Sequence, residues 1–225
     1  MLLIAPEMEL CEETLELFVS GEVVKPEVRL LSQLKSVLMK PEELREDGVA
    51  YLIYRDLPPL RGSWARFDLT VVLNWEVGGE LSKTKGHYHL PLGGKSLPEI
   101  YYIHLGEAAF LLQKKGSSIF EIEDFVIVRA REGSFVRIPR DYGHVTVNLR
   151  DDLLVMSNVI HRKVEPDYES YEATRGAAYY ITREGIVRNP NYISVPEPRY
   201  EGAESVGESI QKLLGDENFL NQLRS

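Results

Sequence analysis

The sequence predicts an all-β protein, an antiparallel barrel or sandwich with a short helix before it and helices after it. Three observations carry this reading. From Val49 to Ile160 the chain passes through a series of short runs rich in β-branched and aromatic residues, spaced roughly ten residues apart and separated by turn formers, with almost no room for helices between them. Before this series, and again after it, apolar residues recur at helical spacing. There is no internal repeat or low-complexity tract, so one domain is expected over residues 1–225, with its barrel core at about 66–160. The flanks are then an N-terminal arm and helix (1–65) and a hairpin with a C-terminal helical extension (161–225).

The elements follow in order. "KPEVRLLSQLKSVLM" (25–39) places Val28, Leu31, Leu34 and Val37 on a stripe of spacing three, with Pro26 and Glu27 suited to a first turn, and predicts a short amphipathic helix. The expected strands are 49–55, 66–77, 82–90, 99–105, 107–113, 120–130, 134–139, 144–149 and 153–160. "AAYYITREGIVRN" (177–189) reads as a further hairpin turning at "REG". Ile210, Leu213 and Leu214 before Gly215, then Phe219, Leu220 and Leu223, predict two short helices packed on the barrel.

Composition limits the partners. The chain has 225 residues, 44% of them hydrophobic, enough for a buried core. Its net charge of −9 argues against nucleic acid or an anionic membrane surface, so an anionic ligand needs a local site. The single cysteine, Cys11, excludes an intrachain disulfide and suits a reducing interior. The opening "MLLIAPEMELCEE" lacks the basic region of a signal peptide, and no apolar run approaches the roughly 20 residues a bilayer requires. A soluble cytoplasmic protein is expected.

The chemistry concentrates in "TKGHYHLPLGGKSLPE" (84–99). Side chains alternate along a strand, so His87 and His89 point to one side, about 6–7 Å apart along the backbone. The same parity sets Glu99, Tyr101 and Ile103 on one face of the next strand, with Tyr102 and His104 on the other. Further on, "GSFVRIPRDYGHVTVN" supplies Gly133, Pro139 and Gly143 at turn-forming positions, then His144, Thr146 and Asn148 on one face. Three imidazoles and a carboxylate make a ligand set for a divalent ion, with iron(II) put first and manganese, nickel or zinc as alternatives. His104 falls on the opposite face and is read as structural, while His161 lies just past the last barrel strand.

These residues carry a resemblance. Gly79 through "HYH", Glu99 and Gly106 resemble the first motif of the cupins with a lengthened insert, and Gly133, Pro139, His144 and Asn148 resemble the second with its spacing intact. Together they imply a cupin barrel, the double-stranded β-helix or jelly roll. "TKGHYH" and "IPRDYGHVTVN" are similar in particular to the cupin-type glucose-6-phosphate isomerases, over roughly residues 26 to 190. The resemblance implies a metal on His87, His89, Glu99 and His144, and a sugar phosphate above it. Thr84 and Gly86 would contact the phosphate, with Thr70 and Lys85 added and Tyr168 closing over the substrate.

Glu99 is then the base for moving a proton between C1 and C2, or a ligand, or both. Tyr101 would bind substrate or orient Glu99. Two departures mark this chain. Where the resemblance aligns a histidine and an aromatic, this chain has Pro166 and Ile160, so either His161 substitutes for the histidine from a shifted position or the substrate differs, and "LPLGGKSLP" is expected to form a flexible, lysine-bearing loop at the pocket rim. A cupin dioxygenase and a sugar-phosphate-binding cupin without turnover are the other readings. A homodimer is expected, with a strand such as 49–55 adding to its partner's sheet.

Overall fold

A computed structural model describes residues 1–205, 210 and 214–224 and shows an all-β architecture, the double-stranded β-helix of a cupin. Its larger sheet has seven strands. In spatial order they are Glu204–Ser205, Ser134–Ile138, Glu99–Leu105, Leu154–His161, Ala65–Val72, Val49–Tyr54 and Glu27–Leu30. Against it lies a sheet of Tyr142–Asn148, Glu107–Lys115, Ile122–Arg131 and Arg199–Gly202, the last pair parallel. The expected hairpin is present as Tyr179–Thr182 and Gly185–Arg188, joined to Glu80–Leu81.

Both faces of the larger sheet are buried. Ile53, Val72, Ile103 and Met156 point into the barrel, where they meet Phe110 and Val145 of the facing sheet. Leu52, Phe67, Leu69, Val71 and Val155 point the other way, into a second apolar cluster. This explains why runs such as "VAYLIY" lack the polar alternation of a half-exposed strand. The cover on the outer face is the N-terminal segment, which is no arm. Leu2–Ala5, Met8–Leu10, Leu17–Val19 and Glu22–Val24 form a four-stranded meander that contributes Ile4, Met8, Leu10 and Leu17. Its turns use left-handed backbone at Glu7, Leu15 and Ser20; only the last, followed by Gly21, carries a turn signal in the sequence.

Three further expectations are corrected. The segment 25–39 is not an α-helix: Glu27–Leu30 pairs with Val49–Tyr54, and only Leu31–Val37 is helical, as a 3₁₀ helix. A strict spacing of three is the 3₁₀ period, so Leu31, Leu34 and Val37 are buried, while Val28 lies on the strand, 49% exposed. Val49–Tyr54 consequently has neighbours on both sides and is not an edge strand; the sheet ends on that side at Glu27–Leu30. Gly143 is also no turn residue: it lies within Tyr142–Asn148, where a Cβ would come within 2.7 Å of the Tyr88 ring.

At the C-terminus Asp216 caps a helix over Glu217–Asn221, accepting from the Asn218 N–H at 2.8 Å, and Phe219, Leu220 and Leu223 join the outer cluster. The first predicted C-terminal helix lies largely outside the described residues, Leu213 among them; Ile210 and Leu214 are helical and buried. No helix among the described residues is long and apolar enough to cross a membrane.

His104 is on the outer face of Glu99–Leu105, as its parity requires, with Nε2 2.8 Å from Ser157 Oγ. Burial pulls its imidazole down to about 3 from an ordinary 6.5. Between those values the unfolded chain takes up a proton that the folded chain refuses. The corresponding stability is present above pH 6.5 and is lost as pH falls toward 3, at about 1.4 kcal/mol per pH unit. Urea unfolding at about pH 7.5 and about pH 5.5 should show a loss of about 1.4 kcal/mol from this group over the interval, about half a proton on average, and His104→Gln should reduce the slope by that amount. Equal slopes in the two proteins would contradict the assignment.

Candidate metal centre

The segment before the first histidines is zipped onto Tyr142–Asn148. Thr84 N–H donates to the Thr146 carbonyl at 2.9 Å, and the Thr146 N–H donates to Thr84 Oγ1 at 3.0 Å. His87 and His144 then exchange main-chain hydrogen bonds at 3.2 and 3.0 Å. Four residue steps from Lys83 to His87 oppose three from Val147 to His144, so one residue is extra. Gly86 absorbs it as a bulge at φ +77°, where a Cβ would collide with Val145 and crowd the Tyr171 ring. The segment expected as one strand over 82–90 is therefore two isolated bridges and the short strand Tyr88–His89.

The bulge aims three imidazoles at one point. The His87 ring lies 4.5 Å from that of His144 and 5.3 Å from that of His89, centroid to centroid. Glu99, the first residue of its strand, places Oε2 3.1 Å from His89 Nε2 and 3.3 Å from His144 Nε2. One ligand atom from each of the four residues lies within 4.8 Å of the others. First-row ions hold nitrogen and oxygen donors at about 2.0–2.2 Å, so the group is within a few tenths of an ångström of closing on one ion.

The hydrogen bonds bear on whether these donors suit a cation. His89 Nδ1 donates to the Leu97 carbonyl at 2.7 Å, which turns the lone pair of Nε2 toward Glu99 Oε2. Two acceptors at that distance need a positive charge between them: without an ion it is a proton on His89 Nε2, and a bound cation would take that proton's place. The ring nitrogens of His87 hydrogen-bond no described residue, and His144 Nδ1 is buried without a partner. Burial, then the neighbouring His144 and His89, hold His87 well below its usual range; burial lowers His144 too. Both are neutral near pH 7, as ligands must be. Burial also lowers His89, but its bond to Glu99 prevails and the net shift is upward. For Glu99, burial raises the pKa, yet the bonds from His144 and His89 outweigh it and the carboxylate stays ionised. Asn158 Nδ2 donates to the other oxygen, Oε1, at 2.6 Å.

A cavity of about 170 Å³ opens beside these ligands. Thr70, Thr84, Lys85, Gly86, Tyr101 and Tyr168 all line it. Tyr101 Oη is 3.1 Å from His144 Nε2; burial and then the Glu99 charge raise its phenol well above the usual value, so it is a hydrogen-bond donor. The Lys85 ammonium pairs with Glu172 and lies 5.2 Å over the Tyr168 ring, itself 5.5 Å from His87. His161 is not among the lining residues. It packs against Trp64 with centroids 5.7 Å apart, and so does not stand in for the histidine missing at Pro166.

Nor does the 90–98 insert line the cavity. Leu97 packs with Ile160 and Val164, its carbonyl holds His89, and Ser96 Oγ accepts from the Asp141 N–H at 3.1 Å, so the insert is a buttress. Sequence reasoning missed Arg55, Arg66, Asp68 and Asn158, which also line the cavity. A signal existed: in "RFDLT" Arg66 and Asp68 share the parity of Thr70, as His87 shares that of His89.

A double-stranded β-helix with three histidines and one glutamate converging inside it defines a cupin whose ligand set could hold a divalent metal. Comparison with known proteins narrows the class. The family model "Glucose-6-phosphate isomerase (GPI)" matches residues 28–197. The glucose-6-phosphate isomerase of Thermococcus onnurineus (strain NA1) is 30% identical over 174 residues, 73% of this chain and 86% of that one. That of Pyrococcus furiosus is 27% identical over 180 residues, 76% of this chain and 90% of that one. The chain belongs to the glucose-6-phosphate isomerase family. Among solved structures, oxalate decarboxylase from Bacillus subtilis overlaps 49% of this chain and 25% of its own, with a TM-score of 0.35 and 17% identity.

Incubation of the purified protein with manganese(II), followed by desalting and elemental analysis, should find one ion per chain. Asn158→Ala, which frees Glu99 Oε1, should weaken metal affinity about 10–100-fold, and His144→Ala by more. Undiminished uptake in His144→Ala would rule out this ligand set.

Proposed function

We propose that the protein interconverts glucose 6-phosphate and fructose 6-phosphate at this centre, with a divalent metal, iron(II) first among the candidates, held by His87, His89, Glu99 and His144. The observation that carries the reading is that these four residues converge beside a cavity that Thr84, Lys85 and Gly86 also line, in a chain of the glucose-6-phosphate isomerase family. Bound there, the ion supplies a Lewis acid that polarises the C1 and C2 oxygens of the open-chain sugar.

The chain's own residues do the rest. Thr84, Gly86, Thr70 and Lys85 bind the phosphorylated end, through hydroxyls, a main-chain N–H and an ammonium. Tyr168 closes the cavity over His87 and shields the reacting carbons from water. Tyr101, protonated and buried, donates a hydrogen bond to a substrate oxygen where negative charge develops. Glu99 is ionised and fixed at both oxygens, so it takes a proton from one carbon and returns it to the other. Pro166 and Ile160 line the same cavity, which makes their departure from the family pattern a determinant of the sugar accepted. The assembly proposed is a homodimer through the open edge at Glu27–Leu30.

A coupled assay with metal-reconstituted protein should show conversion of fructose 6-phosphate to glucose 6-phosphate. Glu99→Gln should lower kcat about 10²–10⁴-fold at saturating metal. No conversion with iron, manganese, nickel or zinc would refute the reading.

A further inference from the structure

Arg66, Asp68 and Thr70 alternate into the cavity along Ala65–Val72, and Arg55 reaches the same wall from the end of the neighbouring strand. Asp68, 2% exposed at its side chain, accepts from Arg66 Nε at 2.8 Å and from Arg55 Nη1 at 3.2 Å, both through Oδ2. Its other oxygen accepts from the Asp56 N–H at 2.9 Å. One carboxylate thus serves two guanidinium groups. Arg55 has a second partner in Glu27 at 3.0 Å, and Lys85 has Glu172. Arg66 has only its share of Asp68: its side chain is 22% exposed, and among the described residues its terminal nitrogens donate to nothing. Glu27 is 59% exposed at its side chain and lies outside the cavity lining, so inside the cavity Asp68 alone meets both guanidinium groups, and the terminal nitrogens of Arg66 can take a further anion.

The strand register places Arg66 relative to the metal centre. Arg66 pairs with Ile160 and Ile160 with Glu99, so the three form one row across the sheet. The backbones at Arg66 and Glu99 are two strand spacings apart, about 9–10 Å, with the aliphatic Ile160 between them in the row. Asp68, Asn158 and Tyr101 form the next row. A cavity with a metal-ligating carboxylate at one end of a row and a free guanidinium fork at the other suits an extended sugar with its carbonyl at one end and an anion at the other.

We infer that Arg66, supported by Arg55 and held in place by Asp68, is a specificity-determining anchor for the phosphoryl group of the substrate. The inference rests on the isomerase reading for the identity of that anion. The planar fork grips phosphate oxygens in pairs and supplies a positive charge in the cavity that Thr84 and Gly86 also line.

The test uses the full-length, manganese-loaded protein, titrated calorimetrically with inorganic phosphate and assayed separately with fructose 6-phosphate. Arg66→Gln should bind phosphate about tenfold or more weakly than the wild type, and Arg66→Lys by an intermediate amount, both with unchanged metal content. KM for fructose 6-phosphate should rise in the same order while kcat changes much less. If Arg66→Gln lacks a cooperative melt, Arg66→Lys and Arg55→Gln carry the comparison. Absence of phosphate binding by the wild type, or equal affinity in the variants, overturns the anchor. Phosphate binding that depends on Arg66 in a protein with no turnover sustains the anchor and refutes the isomerase reading instead.

Discussion

The main-chain pair between His87 and His144 is the contact on which the site depends. Two residues far apart in sequence exchange hydrogen bonds in both directions, so the backbone itself sets the distance between two of the imidazoles. The pairing comes out in this register because Gly86 takes up one extra residue in left-handed backbone. Any side chain there would drive into Val145 and Tyr171 and push the segment off its partner strand. His89, Glu99 and Asn158 are then placed by short distances from this fixed pair.

The burial of the larger sheet on both faces gives that placement its rigidity. A barrel strand with solvent behind it can shift; here the N-terminal meander and the Phe219–Leu223 end of the chain pack against the back of the strands that carry Glu99, Asn158 and Asp68. The 90–98 insert works locally in the same way. It holds the His89 ring through a carbonyl and closes a small apolar cluster with Ile160 and Val164. The departures from the family pattern at Ile160 and in the insert therefore meet at one place, next to His89 and in the row that leads to Arg66.

Much of this was legible in the sequence, for identifiable reasons. The period of two put His87 with His89 and Glu99 with Tyr101, and separated His104, because parity survives wherever a strand stays regular. It did not reveal the bulge at Gly86, since a single glycine does not say which strand it faces. The meander over 2–24 stayed hidden because its strands are three or four residues long and two of its turns fall on Glu7 and Leu15, while Ser20-Gly21 is a turn signal with no long strand on either side. The spacing of three in 25–39 suggests an α-helix, but Val28 belongs to the strand Glu27–Leu30 and the other three positions to a 3₁₀ helix; a window that short cannot separate the periods. Arg66 and Asp68 were missed because a charged pair on a strand reads as solvated until the neighbouring strands are known to enclose it.

In the proposed function, one divalent ion held by His87, His89, Glu99 and His144 makes this barrel an isomerase. The most direct measurement is a titration of the metal-stripped protein with manganese(II), following bound metal and isomerisation of fructose 6-phosphate together. Activity should rise in proportion to bound ion and level off at one equivalent per chain. Full activity in the stripped protein, or activity that does not track occupancy of this site, would contradict the account.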